Sequence, residues 1–346
     1  MARHYFRFLA VAAVALLARP AFSAETRPPP GPTVRVSPDR ARAGDALLVS
    51  LEGGGVSSPS SPSSTSGTAS GTAFSGTAFF PAPPTSGTAE GTAEPAATPP
   101  PRPLRFYPTP TGAQAILALP IELTSGTVRI EVRVPGRPDP LVATVTVVDP
   151  GFPETQLSVE PKFLAPSPEQ KKRMEEDQAA FREAFARPFE PPLFASPFAP
   201  PRDARVTGLF GERRVFNGKK QSQHYGTDLA GAVGDPILAT NDGVVVLVRD
   251  CFASGKSIAL AHGGGLFSVY FHMSGFDVRA GDQVRRGQPI GKVGATGRVT
   301  GPHLHFGIKV VDLYVDPDSV YRLAFAPPSA APPPGAPAPP PPTAAP

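Results

Sequence analysis

Histidine residues concentrate in one stretch of the chain, between His224 and His305. Five of the six histidines of the 346-residue sequence lie in it, together with Asp228. Histidine and aspartate bind a borderline metal such as zinc, and a catalytic zinc site uses three protein ligands and one open position. Because the stretch offers more candidates than one ion needs, some of its histidines could transfer protons instead.

His303 and His305 are separated by a single residue. On a β-strand this spacing places both imidazoles on one face and turns Leu304 toward the core. One such pair is weak evidence for a metal site.

His224 and Asp228 form a second pair, four residues apart. With Gly226 between them, a loop can bring both side chains to one ion, although the same spacing on a helix would serve too. Together with the first pair and with His272, this pattern is much stronger evidence for a metal centre with catalytic histidines.

The elements that must position these residues are predicted to be short strands. From Val206 onward, apolar segments such as 243–248 and 266–272 alternate with glycine-containing turns such as 281–282. The pattern contains no convincing helix. It predicts an all-β domain of antiparallel strands over residues 203–324.

Short motifs run through this domain in a fixed order. They are Phe210-Gly211-x-Arg213-Arg214, His224-x-Gly226-x-Asp228, Gly243-Val244-Val245, His262-Gly263, Tyr270-x-His272-x-Ser274, Gly281-Asp282-x-Val284, Gly287-Gln288-x-Ile290-Gly291 and Gly301-Pro302-His303-x-His305. In type and order they resemble the lysostaphin/LytM-type zinc metallopeptidases, which cut peptide bonds in bacterial peptidoglycan. The resemblance covers residues 203–322, about a third of the chain.

The resemblance implies a role for each candidate residue. His224, Asp228 and His305 would bind one zinc ion (Zn2+). His272 and His303 would be the catalytic histidines, and the resemblance does not show which of the two is the general base. Peptidoglycan would be the substrate, with either D,D-type stem-peptide bonds or glycine bridges as the bond cut. His262 is interpreted as structural.

The sequence departs from the family pattern beside His272. Phe271 and Met273 lie where the family more often has smaller or other aliphatic residues, which could reshape the groove beside His272 and its substrate preference.

Two alternatives to hydrolysis are a catalytically silent relative and a carrier domain. A catalytically silent relative that binds the wall or activates another hydrolase would have lost metal ligands, whereas every ligand position is filled here. The turns at 242–245 and 281–288 are similar to hairpins of biotinyl or lipoyl carrier domains. Such domains need a modifiable lysine at a hairpin tip, and Lys292 lies outside one.

Residues 33–150 alternate in the period-two pattern of half-buried strands and predict an immunoglobulin-like β-sandwich. Within them, residues 57–103 consist mainly of Ser, Gly, Thr, Ala and Pro, with Ser-Gly-Thr-Ala recurring at 66–69, 75–78 and 86–89. We expect this insert to be disordered, because it offers little apolar surface to bury. The Pro/Ala tail, 326–346, is predicted to be disordered for the same reason.

A linking helix is predicted between the two domains, over residues 167–187. Ser167 is a suitable N-cap and Pro168 a suitable first helical residue. Residues 188–201 are rich in proline and predict an extended link to the carboxy-terminal domain.

The first 23 residues have the basic start, apolar run and small residues of a secretory signal peptide. We therefore expect an exported protein, periplasmic or secreted, with no stable membrane insertion after cleavage. Removal of Arg3, Arg7 and Arg19 lowers the formal net charge from +4 to about +1, so nucleic-acid binding gains little support. The single cysteine, Cys251, excludes an internal disulfide. A regulatory or activating envelope protein is a further candidate partner.

Overall fold

The computed structural model describes residues 31–53, 74–81, 98–218 and 220–329. The predicted signal peptide, residues 1–23, lies outside them, as do residues 57–73 and 82–97 of the predicted insert and residues 330–346 of the tail. Among the described residues, no helix combines the length and the apolar character that crossing a bilayer requires.

The amino-terminal domain is a sandwich of two β-sheets. One sheet has the strand order β1-β3-β7-β6 and the other β2-β9-β8-β4-β5. Alternate side chains of both sheets, such as Val49 and Ile130, fill a common core. The sandwich matches the predicted fold class, while its immunoglobulin-like character stays a prediction. Its strands are β1 (Thr33–Ser37), β2 (Arg40–Arg42), β3 (Ala46–Glu52), β4 (Ser75–Phe79), β5 (Arg102–Leu104), β6 (Phe106–Thr109), β7 (Gly112–Ala118), β8 (Gly126–Arg133) and β9 (Leu141–Val148).

The prediction of disorder across 57–103 is wrong for the parts of this insert that the structure describes. The second Ser-Gly-Thr-Ala repeat lies in β4, which pairs with β8 on one side and with β5 on the other. Ala78 is fully buried in the sandwich core. Small residues suffice here because the neighbouring strands supply the hydrogen bonds and most of the apolar surface.

A connecting helix follows the sandwich. A 3-10 turn, Pro161–Phe163, precedes α1, Pro168–Phe185. Ser167 caps α1, since its hydroxyl accepts a hydrogen bond from the backbone N–H of Gln170. The helix packs on the carboxy-terminal domain through buried Asp177, which accepts hydrogen bonds from the Arg249 guanidinium and from the Phe252 N–H, both at 2.7 Å.

The proline-rich segment 188–201 is packed against the carboxy-terminal domain along its length. Phe194 and Phe198 are almost completely buried in the core of that domain. Backbone hydrogen bonds join Leu193 N–H to His262 O and Ala199 N–H to Thr240 O. The segment is thus part of the domain's structure as well as a link.

The carboxy-terminal domain is built around one large antiparallel sheet. Its main order is β11-β14-β21-β18-β17-β16-β19, with β15, β20 and β22 paired beside it, and β10, β12 and β13 form a separate three-stranded sheet. These strands are β10 (Glu154–Leu157), β11 (Val206–Gly208), β12 (Arg213–Phe216), β13 (Lys220–Gln223), β14 (Thr227–Ala230), β15 (Pro236–Leu238), β16 (Gly243–Cys251), β17 (Gly255–Gly263), β18 (Leu266–Phe276), β19 (Gln283–Val284), β20 (Pro289–Val293), β21 (His303–Val310) and β22 (Leu313–Val315).

One short helix, α2 (Pro317–Tyr321), was not expected in this domain. Asp316 caps it by accepting a hydrogen bond from the Asp318 N–H, and Pro317 occupies its first turn. The sequence signal is weak because the helix has only five residues.

The two domains contact each other closely. The Ala46 N–H donates to the Ser319 hydroxyl at 2.9 Å, and the Asp316 N–H donates to Gly44 O at 2.8 Å. Leu48 and Ile116 of the sandwich belong to the same apolar core as the carboxy-terminal domain. The first residues of the predicted disordered tail are also bonded, since the backbone N–H groups of residues 326 and 329 donate to the sandwich domain.

Candidate metal centre and catalytic groove

Antiparallel pairing of β14 with β21 places Asp228 directly opposite His305. Along the same strands, Leu229 and Leu304 turn into the core and are almost fully buried. His303 lies two residues before His305 and on the same face, as the spacing predicts. The strand alternation therefore brings a carboxylate and two imidazoles to one side of the sheet.

His224 approaches this face from the loop after β13. Its Nδ1 donates a hydrogen bond to Leu209 O at 2.7 Å, which fixes the ring. The loop, and not a helix, thus accounts for the spacing between His224 and Asp228. Glycine is required at 226, because a Cβ there would lie 2.6 Å from His305 Nε2 and 2.6 Å from Phe306 O.

Three ligand atoms form a small triangle. His224 Nε2 lies 3.1 Å from Asp228 Oδ1 and 3.0 Å from His305 Nδ1, and the latter two atoms are 3.0 Å apart. Atoms that each lie about 2.1 Å from one tetrahedral zinc ion are about 3.4 Å apart. The triangle is within about 0.4 Å of that size, so the donor set and its geometry fit zinc.

The chemistry of these residues also favours a cation at the centre. Because His224 Nδ1 donates to a carbonyl, Nε2 is the ring atom that faces the other two ligands. The Asp228 carboxylate presents lone pairs to the same point. Burial lowers the pKa of His305 to about 4, so this ring is neutral near pH 7, the form that binds a metal.

Arg214 and Glu212 support Asp228 from behind. The Arg214 guanidinium donates to Asp228 Oδ2 at 2.7 Å and to Glu212 Oε2 at 2.8 Å. Burial by itself raises the pKa of Asp228, but contacts with the His224 and His305 imidazoles hold that pKa far below its usual range. The sequence motif contains Arg214, yet the pairing could not be inferred from it, because the two residues meet only in the folded domain.

His272 reaches the groove through a β-bulge. The register between β17 and β18 shifts between the Lys256/Met273 and Ile258/Tyr270 pairs, and His272 has a positive φ of 62°. A bulge redirects side chains, and strained backbone of this kind is typical of functional sites. His272 Nδ1 donates to Thr296 O at 2.9 Å. Burial, followed by the nearby His305 and His303, lowers the pKa of His272 to about 3.

His303 is held in the same way. Its Nδ1 donates to Gly301 O at 2.8 Å, and its Nε2 lies 3.7 Å from Asp228 Oδ1. The His272 and His303 rings are 5.0 Å apart between centroids. In each of the two rings, Nδ1 is thus bonded to a carbonyl and Nε2 is left for the groove, beside the triangle of ligand atoms. All five predicted site residues line one groove of about 550 Å³.

Comparison with known proteins matches residues 222–317 to the model of peptidase family M23. These residues contain every ligand and catalytic candidate described above.

The carboxy-terminal domain is a peptidase family M23 domain.

Curated relatives match about a third of the chain. This chain is 41% identical over 107 residues to the peptidoglycan DD-endopeptidase ShyA of Vibrio cholerae, which is 31% of this chain and 25% of that protein. It is 39% identical over 116 residues to the DD-carboxypeptidase/endopeptidase Mpg of Neisseria meningitidis, which is 34% of this chain and 27% of that protein. The chain thus spans about a quarter of the length of these curated relatives.

A solved structure extends the likeness beyond the M23 domain. A Pseudomonas aeruginosa protein assigned to peptidase M23 superposes with a TM-score of 0.50 at 28% identity, covering 71% of this chain and 87% of its own. That share exceeds the M23 domain, so the similarity includes part of the upstream fold.

One wall of the groove comes from outside residues 222–317, which match the M23 family. Strand β10 pairs in parallel with β12, and Thr155, Leu157 and Val159 line the groove. The Thr155 hydroxyl donates to Glu212 Oε1 at 2.5 Å. Sequence reasoning missed these residues, because a four-residue strand is too short to give a local periodic signal.

Phe271 fills another part of the groove. Its ring stacks on the His305 imidazole, with 5.1 Å between centroids and 6° between planes, and Phe181 of α1 contacts its far side edge-on at 5.6 Å. The aromatic residue that departs from the family pattern therefore connects α1 to a metal-ligand candidate.

His262 lies apart from the groove. Its Nδ1 donates to Asp242 O at 2.6 Å, and its Nε2 is 2.8 Å from the Ser268 hydroxyl, which is 3.1 Å from the Tyr270 hydroxyl. The residue is fully buried, and burial lowers its pKa to about 4. These contacts agree with its structural interpretation.

Proposed function

We propose that this protein is an exported zinc metalloendopeptidase that hydrolyses peptide cross-links of bacterial peptidoglycan. One observation carries the proposal: three ligand atoms form a zinc-sized triangle beside two histidines whose Nδ1 atoms are bonded to backbone carbonyls, which leaves Nε2 of each ring for the groove. The peptidoglycan activity named for ShyA and Mpg supports the substrate class. The proposal extends to the whole chain what its M23 domain shares with them.

His224 Nε2, Asp228 Oδ1 and His305 Nδ1 would hold the zinc ion. Zinc supplies Lewis-acid activation of a water molecule and of the substrate carbonyl. Arg214 holds Oδ2 of Asp228 by a hydrogen bond, which leaves Oδ1 turned toward the histidines. Burial keeps His305 neutral, the form in which an imidazole binds a metal.

His272 and His303 would carry the protons. The carbonyls of Thr296 and Gly301 fix each ring with Nδ1–H bonded and Nε2 toward the groove. One Nε2 lone pair takes the proton of the attacking water, and the N–H so formed can donate it to the leaving nitrogen. The second imidazole would stabilise the oxyanion of the tetrahedral intermediate in its protonated form, by donating a hydrogen bond from Nε2–H.

Export is proposed from the amino-terminal 23 residues, which have the composition of a secretory signal. Peptidoglycan lies outside the cytoplasmic membrane, so a hydrolase of this class needs such a signal. The expected regulatory envelope protein stays a prediction.

The proposal is tested by digesting isolated cell walls with the purified protein that begins at residue 24. We expect new free amino ends to appear, to stop when a chelator removes the metal, and to return when zinc is added. Zinc binding without any new amino ends, over a range of pH and with walls from several sources, would favour the catalytically silent relative instead.

A further inference from the structure

The loop of residues 294–302, between β20 and β21, has a further side chain in the groove besides its two carbonyls that bind the catalytic histidines. Thr296 O and Gly301 O bind the imidazoles of His272 and His303. Between these anchors, the Arg298 N–H donates to Ala253 O at 2.8 Å. The loop backbone is thus fixed at three points, and Arg298 lies between the attachment points of the two catalytic histidines.

The Arg298 side chain lines the catalytic groove and is partly buried. Its guanidinium carbon lies 4.7 Å from the centroid of the Phe216 ring, a cation–π contact. This contact does not use the guanidinium N–H groups, which leaves a planar set of donors in the groove.

Arg298 differs from Arg214, the other arginine that lines the groove, because no carboxylate is paired with it among the described residues. Arg214 is bonded to Glu212 and Asp228. Within the described ranges, Arg298 forms no ion pair with a carboxylate. Burial and then the neighbouring Arg214 lower the pKa of Arg298, with no acidic group acting in the opposite direction.

A partly dehydrated guanidinium without an anion is costly for the folded protein. Guanidinium groups bind carboxylates through two parallel N–H···O bonds, which makes a carboxylate the natural partner. A substrate that brings one into the groove would satisfy both the charge and the donors.

We propose that Arg298 binds a free carboxylate of the substrate, on the carbon that bears the scissile nitrogen. The inference rests on the proposed function and names its substrate class. In a D,D-type cross-link to a diamino diacid such as diaminopimelate, the carbon that bears the scissile nitrogen also bears a free carboxylate. In a glycine bridge, the same carbon leads to another neutral amide. Arg298 therefore selects D,D-type cross-links to a diamino diacid over glycine bridges.

The test compares two cross-linked muropeptide dimers that differ in one group, a free carboxylate or a carboxamide beside the scissile nitrogen. The zinc-loaded wild type should cleave the acid with a kcat/KM about 10- to 100-fold above that for the amide, the range expected for a charge-assisted hydrogen bond. Arg298→Gln should cleave both dimers at the amide rate, and Arg298→Lys should keep part of the preference. Arg285→Gln removes an exposed arginine outside the groove and should behave as wild type.

Zinc content and melting temperature, measured for every variant, show that the proteins compared are folded and loaded. Equal cleavage of both dimers by the wild type would overturn the role of Arg298 and leave the proposed hydrolase intact. So would an unchanged preference in Arg298→Gln, or an equal loss on both dimers in that variant. If the zinc-loaded wild type cleaves neither dimer but releases amino ends from cell walls, the carboxylate assignment alone fails. If it cleaves neither the dimers nor the walls, the proposed function fails as well.

Discussion

Replacing Asp228 by asparagine should weaken zinc binding at least about 100-fold. The carboxylate bridges two groups, with Oδ2 2.7 Å from Arg214 Nη2 and Oδ1 3.0–3.1 Å from the imidazoles of His224 and His305. An asparagine amide cannot accept from Arg214 and bind the metal at the same time. If its oxygen points toward the histidines, its NH2 group faces the N–H donors of Arg214. If the amide is turned over, the NH2 group occupies the ligand position.

The magnitude follows from the contacts that are lost. Removing an outer partner of a metal ligand typically weakens metal binding 10- to 100-fold. Asp228→Asn loses such a contact or the ligand itself, and in both orientations it loses the negative charge. The upper end of that range, about 2.7 kcal/mol, is therefore the least effect expected.

Competition with a chromophoric chelator near neutral pH measures the zinc affinity. Asp235→Asn is the matched control, because Asp235 also pairs with an arginine, Arg202 at 2.8 Å, but has no histidine beside it. We expect wild-type affinity in this control. Unchanged affinity in Asp228→Asn, or the same loss in both variants, would refute the assigned ligand set.

Three further changes probe the proton carriers, a buried histidine and the connecting helix. His303→Ala removes a proton carrier and no ligand, so hydrolysis should fall about 100- to 10,000-fold while the zinc content stays near that of the wild type; loss of the zinc would place His303 among the ligands. The pKa of His262 is about 4 in the folded protein, so between about pH 6.5 and pH 4 only the unfolded state binds a proton at this residue. The contribution of neutral His262 to stability is therefore complete above about pH 6.5. It is lost as pH falls through this range, by about 1.4 kcal/mol per pH unit. Urea unfolding of His262→Gln should show a flatter pH dependence over this range, and an unchanged slope would contradict the assignment. Ser167→Ala removes the cap of α1 and should lower the free energy of unfolding by about 1 kcal/mol; no change would mean that the cap hydrogen bond to Gln170 contributes nothing.

Local periodicity accounts for the parts of the site that were predictable. Alternation along β21 puts His303 and His305 on one face, and it depends on no other part of the chain. The Ser167 cap is equally local. The four-residue spacing of His224 and Asp228 is compatible with both a loop and a helix, so the sequence alone does not determine the local structure. The pairing of β14 with β21 shows that Asp228 lies on a strand, with His224 in the loop before it.

Features that depend on distant partners were missed. The Ser-Gly-Thr-Ala repeat in β4 has little strand propensity of its own. It forms a strand because β8 and β5 pair with it on either side. The contacts of Arg214 with Asp228, of Phe271 with α1, and of β10 with β12 likewise arise only when separate elements meet. Such contacts leave no periodic trace in the sequence.

The most direct measurement is mass analysis of the products from one purified cross-linked muropeptide dimer. Wild type, His303→Ala and His305→Ala are compared, with zinc measured in the same samples. We predict two monomers, each of the mass given by hydrolysis of the cross-link, from the wild type alone, with zinc retained in His303→Ala and lost from His305→Ala. An intact dimer after incubation with the zinc-loaded wild type, or undiminished cleavage by His305→Ala, would contradict a zinc-dependent cross-link hydrolase.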